Sequence, residues 1–176
     1  ILIGLGAVVP EAPTGQKLPF GPLHFIGHSF GTAVTSEAVE RLAAFDVPVD
    51  HLTYLDPHDF EQPPLAFDSA QRLFTLGKPD GYGAVVWDNV TFADVYYQTE
   101  VLPDGRPIPG AYNVNVTDDP VVSGVNPHTD VWKQYYLSTV TNANSTTGYA
   151  LSRNAAGFED RRADAEPNFY DGQDHE

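Results

Sequence analysis

The stretch Leu23-His24-Phe25-Ile26-Gly27-His28-Ser29-Phe30-Gly31-Thr32 constrains this chain more than any other. An apolar run ends in G-H-S-F-G and passes at once into a segment of helical periodicity. A serine on a sharp strand-to-helix turn has its hydroxyl pushed clear of the backbone. Gly27 and Gly31 are expected to leave room where a side chain would strike the neighbouring strand or helix. The helix that follows aims its N–H groups and positive dipole end at any oxyanion forming beside the serine. A bare G-x-S-x-G arises by chance in roughly one chain in twenty of this size. The strand before it and the helix after it make the motif informative.

The chain has 176 residues, 41% of them hydrophobic, enough for one domain with a core. Nine basic residues stand against 24 acidic ones, a net charge of −15. Phosphate-rich partners are repelled by such a field, which argues against nucleic acid and anionic membranes. No apolar run is long enough to span a bilayer. The absence of cysteine excludes disulfides and thiolate metal sites, and no metal or cofactor is implied. Ile1 is not a methionine, and the residues after it lack the basic region of a signal peptide. The chain is therefore expected to be cut from something longer, with an upstream part of the same domain as its partner. Acidity without cysteine suits an extracellular protein by composition alone.

Residues 10–22 read as a loop from Pro10, Pro13, Gly15, Pro19, Gly21 and Pro22, and residues 23–27 as a buried strand. Val34, Ala38, Leu42 and Phe45 recur at helical spacing, with Glu37 four residues before Arg41, which predicts a helix from Thr32 to Phe45. Asp50 to Leu55 is a second strand, closed by Asp56-Pro57. Gln71 to Leu76 is a candidate strand, and Val90 to Gln98 a strong one by its β-branched and aromatic content. Residues 102–127 are turn-rich. Thr129 to Val140 is helix-compatible, with Thr129 or Asp130 as its cap. Strand, helix, strand, strand implies an α/β fold with a mainly parallel sheet. Too few strands precede the elbow for a complete sheet, so the expected unit is truncated at its N-terminus. Residues 1–145 form a partial catalytic domain on this reading, and 146–176 a polar, acidic tail or linker.

A serine hydroxyl needs a base, usually imidazole, and the imidazole needs a carboxylate to fix its tautomer. In parallel sheets such partners stand at the carboxyl ends of strands. Asp56 ends the strand after the elbow helix and is the expected acid. Glu100 and Asp104 are its rivals, and Asp94, inside a strand, reads as structural. Among six histidines, His24 lies within a strand, His28 beside the serine, and His51 at the opening of the second strand. His58 is tied to Asp56 by proximity, and His175 lies in the tail. His128 alone falls in a loop after the last strand and before a helix, held by Asn126-Pro127, and is the expected base. Ser29 would attack an ester carbonyl while His128 takes its proton. The Phe30 N–H would donate to the oxyanion, and His28 would line the substrate pocket. A second oxyanion donor should come from a loop after an early strand. The segment without that loop is expected to be a poor catalyst.

G-H-S-F-G, the Leu55-Asp56-Pro57 at the end of the next strand, Phe92-Ala93-Asp94-Val95-Tyr96-Tyr97, and a loop histidine before an aromatic helix together resemble the pancreatic-lipase-like branch of the α/β-hydrolase fold. The resemblance covers about residues 22–140. It implies Ser29, Asp56 and His128 as a catalytic triad, favours Asp56 over Glu100, and implies a small-molecule or lipid ester as substrate. The chain departs from that branch in lacking its disulfides and a recognisable lid between Asp56 and His128. Residues 109–116 have no counterpart in it. The same triad would also serve an acyltransferase or peptidase. A different class is a non-catalytic hydrolase-like binding module of a larger secreted protein. Three Asn-x-Thr/Ser patterns (at Asn89, Asn115 and Asn144) and an acidic Asp171-Gly172-Gln173-Asp174 are weaker signals, the last more simply a solvated tail.

Overall fold

Gly27 lies where β1 (His24–His28) passes beneath the helix that follows it, α1 (Gly31–Ala43). A Cβ on Gly27 would stand 2.9 Å from the Gly31 carbonyl oxygen, 2.9 Å from Thr32 Cα and 2.7 Å from Thr35 Oγ1. That approach decides which face of α1 meets the sheet. Its buried residues are Thr32, Ala33, Ser36, Val39, Glu40 and Leu42, whereas Val34 is 64% and Phe45 41% exposed. The expected stripe through Val34, Ala38, Leu42 and Phe45 is therefore corrected. Small side chains face the close approach, and Ser36 Oγ serves the incoming loop, accepting from Val85 N at 3.1 Å and Trp87 Nε1 at 3.0 Å. Gly31 differs from expectation as well, since among the described residues nothing lies within 4 Å of a Cβ added there.

The computed structural model describes residues 22–59, 83–142, 144–145 and 147–150. The expected loop before residue 22, the Gln71–Leu76 strand and the tail from residue 151 lie outside the described residues. The rest is an α/β structure with a four-stranded, all-parallel sheet in the order β1, β2 (Val49–Leu55), β3 (Val90–Tyr97), β4 (Tyr112–Asn115). β2 and β3 are rich in β-branched and aromatic residues and mostly buried, as strands covered on both faces should be. Side-chain alternation sends Leu52, Tyr54, Ala93 and Val95 into one core with Val39, Leu42 and Trp87, and Leu55 and Tyr96 into another with Val131, Tyr135 and Tyr136.

β4 lies in the stretch expected to be turn-rich, in which the sequence predicts no strand. It is defined by its pairing with β3 (Asp94 beside Tyr112, Tyr97 beside Asn115) and by Asn113, whose amide holds the preceding turn through Ile108 N, Ile108 O and Ala111 O. The C-terminal helix also begins earlier than expected. Asn126 is its N-cap and Pro127 its first residue, giving α2 (Pro127–Asp130), a π-helical stretch over Val131–Tyr136, and α3 (Leu137–Thr141). His128 is thus in the first helical turn rather than in a loop before it. Residues 147–150, assigned by composition to the tail, pack onto this helix and the sheet. Tyr149 N donates to Thr139 Oγ1 at 2.7 Å, and the Gly148 carbonyl shares the one Tyr96 hydroxyl hydrogen with Asp94 Oδ2, each 3.0 Å from the hydroxyl oxygen. Among the described residues no helix is long and apolar enough to cross a membrane, and no group of three or more His, Asp or Glu is placed to hold a metal ion.

Candidate active site

The carboxyl ends of β1, β2 and β3 are in step. Ser29 N donates to the Leu55 carbonyl at 3.0 Å, and Asp56 N to the Tyr96 carbonyl at 2.7 Å. Ser29, Asp56 and Gln98 therefore follow three adjacent strands at one edge of the sheet. Ser29 has φ 56° and Asp56 φ 45°, left-handed conformations that cost a non-glycine residue free energy and persist only where the surroundings enforce them. At Ser29 the enforcement is visible, because its carbonyl accepts from Thr32 N at 3.1 Å and Thr32 Oγ1 at 2.6 Å. The chain turns sharply into α1, and Phe30 caps that helix with φ −61° and ψ −24°. Its N–H therefore sits at the positive end of a 13-residue helix.

Asp56 is fully buried. Its Oδ1 accepts from Gln98 N at 2.8 Å, and its Oδ2 from Gln98 Nε2 at 3.2 Å and His128 Nδ1 at 2.7 Å. A carboxylate only accepts, so Nδ1 carries the hydrogen and Nε2 of a neutral imidazole keeps its lone pair. That is the tautomer a general base needs. The His128 main chain is held from the other side, by His28 Nε2 donating to its carbonyl at 3.0 Å. The two rings are 4.6 Å apart, with Trp132 6.1 Å from His28. Burial pushes His28 below its ordinary pKa, against the opposing effect of its bond to the His128 carbonyl, so His28 is neutral near pH 7. The ring expected to line a substrate pocket thus has its Nε2 committed to the backbone of His128.

Ser29 stands next to His28 in the chain, yet among the described residues no hydrogen bond joins its hydroxyl to His128. Such bonds are often long in unliganded sites and tighten when substrate binds. Of the rival acids, Glu100 is exposed, with its N–H donating to Gln98 Oε1, and the Asp104 carbonyl accepts from His58 Nδ1 at 2.9 Å. Neither is hydrogen-bonded to His128.

Two features escaped the sequence. One is Gln98, whose strand register puts it beside Asp56. The other is a second carboxylate–imidazole pair on the face covered by the C-terminal helix. There His51 Nε2 donates to Asp94 Oδ1 at 3.0 Å, and Thr53 Oγ1 donates to the same oxygen at 2.6 Å. His24 stacks on His51 with ring centres 3.9 Å apart and places its Nε2 2.9 Å from Thr53 Oγ1. Tyr96 OH closes the network on Asp94 Oδ2 at 3.0 Å, its pKa raised by burial first and by the Asp94 charge second. This pair lies mid-strand under Tyr136, away from the strand ends that hold Ser29. Comparison with protein-family models, curated proteins and solved structures found no match to this chain.

Proposed function

We propose that the protein is a serine hydrolase that cleaves carboxylic esters through an acyl-enzyme, on a sheet of the α/β-hydrolase type and in the manner of its pancreatic-lipase-like branch. The observation that supports this most is the 2.7 Å bond from His128 Nδ1 to the buried Asp56 carboxylate, at the sheet edge where Ser29 sits on a strained turn before α1. In this reading Ser29 Oγ attacks the ester carbonyl and His128 Nε2 takes its proton. The oxyanion draws a hydrogen bond from the Phe30 N–H at the head of α1. His128 returns the proton to the departing alcohol, and water repeats the cycle to free the acid. Asp56 stays ionised and stabilises the imidazolium in both halves.

The same scaffold acting as a binding module is the second reading, favoured by the missing Ser29–His128 hydrogen bond. A fluorophosphonate probe separates the two. Covalent labelling at Ser29 in the full-length protein, abolished in Ser29→Ala and accompanied by turnover of nitrophenyl esters, is expected. Absence of any Ser29 adduct at neutral pH would overturn the hydrolase reading, and nitrophenyl esters of rising chain length would then grade acyl preference in an active protein.

A further inference from the structure

Gln98 is 1% exposed and saturated with partners. Its Oε1 accepts from Glu100 N at 3.1 Å and Val101 N at 3.0 Å. Its Nε2 faces the Val101 carbonyl at 2.9 Å, the Pro103 carbonyl at 3.0 Å and Asp56 Oδ2 at 3.2 Å. Two donors on one side and three acceptors on the other fix which end of the amide is oxygen. The Gln98 main chain takes part as well: its N–H donates to Asp56 Oδ1, and its carbonyl accepts from Gly105 N at 2.8 Å. Gly105 in turn lies against the carboxylate, since a Cβ there would overlap Asp56 Oδ1 and stand 2.8 Å from Tyr97 Cβ. One residue thus holds both carboxylate oxygens and the loop that shields them from water.

We infer that Gln98 is the positioning residue of the Asp56–His128 pair, holding the carboxylate through its main-chain N–H and through a side-chain N–H that it shares with the loop carbonyls, so that the imidazole keeps its orientation. The inference rests on the hydrolase reading for its catalytic meaning. Its physical content is that the imidazole feels the group at position 98 through Asp56. A residue that merely stapled the loop would affect folding and leave the titration of His128 in place.

Two variants in the full chain test this. Gln98→Met removes the side-chain donor and should lower kcat on a nitrophenyl ester by about 10–100-fold with KM little changed, well short of the ~10⁴-fold expected for loss of the acid's own function. Gln98→Glu keeps the shape but sets a second carboxyl beside Asp56 Oδ2. Two carboxyls so close share one proton until the second ionises at higher pH, and the negative charge added there favours the imidazolium of His128. The acidic limb of the pH–rate profile, and the His128 ring ¹⁵N titration, should move to higher pH. A limb and a titration that coincide with the native protein's in Gln98→Glu would overturn the inference, whatever Gln98→Met does to stability. Should native Ser29 take no fluorophosphonate, the hydrolase reading falls by itself. The ¹⁵N titration then decides the inference alone, a shift sustaining the coupling and no shift refuting it.

Discussion

Asp56→Asn should leave the protein folded and nearly abolish its chemistry, and the hydrogen bonds around the carboxylate show why. Asparagine can enter in two orientations. If its amide nitrogen takes the place of Oδ1, it meets the Gln98 main-chain N–H, a donor that cannot turn away. If its oxygen keeps that bond, the amide nitrogen faces Gln98 Nε2 and His128 Nδ1 instead. Gln98 loses little in this case, because its two hydrogens retain the Val101 and Pro103 carbonyls. The second orientation therefore wins, and the stability cost is confined to the charge-assisted part of the lost bonds, about 1–3 kcal/mol. His128 must then present the Nδ1 lone pair to the amide, so its hydrogen moves to Nε2 and it cannot take the serine proton. A wrong-tautomer base costs about 10⁴ in kcat, or about 5.5 kcal/mol of barrier. Ester hydrolysis with fluorophosphonate labelling reads the rate, urea unfolding reads the stability, and ¹⁵N shifts read the tautomer. A variant that labels within tenfold of the native rate would refute the role given to Asp56. Failure to fold would refute the orientation argument.

Gly27→Ala should destabilise by about 1–3 kcal/mol in urea unfolding, because two of the three atoms its Cβ would meet belong to the backbone of α1 and cannot rotate aside. Gly31→Ala, with open space among the described residues, should be neutral or stabilising by up to about 1 kcal/mol, and equal losses at both sites would contradict the packing described. Gly105→Ala should depress ester hydrolysis more than stability, since the added methyl displaces the Asp56 carboxylate; unchanged kcat with intact folding would count against the shielding role of that loop. His28 has a folded pKa below its ordinary 6.5, so the unfolded chain binds more protons between the two values. Stability should then fall as pH drops through about 6.5 and level off below the folded value, and His28→Gln should flatten that part of the curve. Identical pH slopes in the two proteins would show that His28 is not held neutral by burial.

The sheet and the strand-end residues were legible because their signals are local. Val90–Tyr97 announces itself by composition, and Asp56 by the proline that stops its strand. The orientation of α1 was not legible. Val34 and Phe45 fit a helical period, but Gly27 brings the backbones too close for that face to turn inward, and closeness of two elements is not written in either one. β4 was hidden for a related reason, since Tyr-Asn-Val-Asn has little strand character and is held by its neighbour.

The polar network was the least legible part, and the reason bears on how the candidate site is supported. Strand register sets His24 beside His51 and Thr53 beside Asp94, and a shift of one residue in either pairing would turn these groups to the opposite face. Composition cannot fix such a register, so the network appears only once the sheet is assembled. It then helps hold the assembly: Asp94 is fully buried and satisfied by His51, Thr53 and Tyr96, and Tyr136 OH donates to Thr53 Oγ1 at 3.3 Å from the helix that begins beside His128. A buried carboxylate with several donors tolerates only the arrangement that keeps them all, whereas apolar contacts tolerate sliding. The helix presenting His128 is therefore keyed at two points, by Asp56 and His28 at its start and by Thr53 further along. The placement of His128 against Asp56 is thus held by hydrogen bonds between residues remote in sequence, which the pattern of apolar residues alone does not specify.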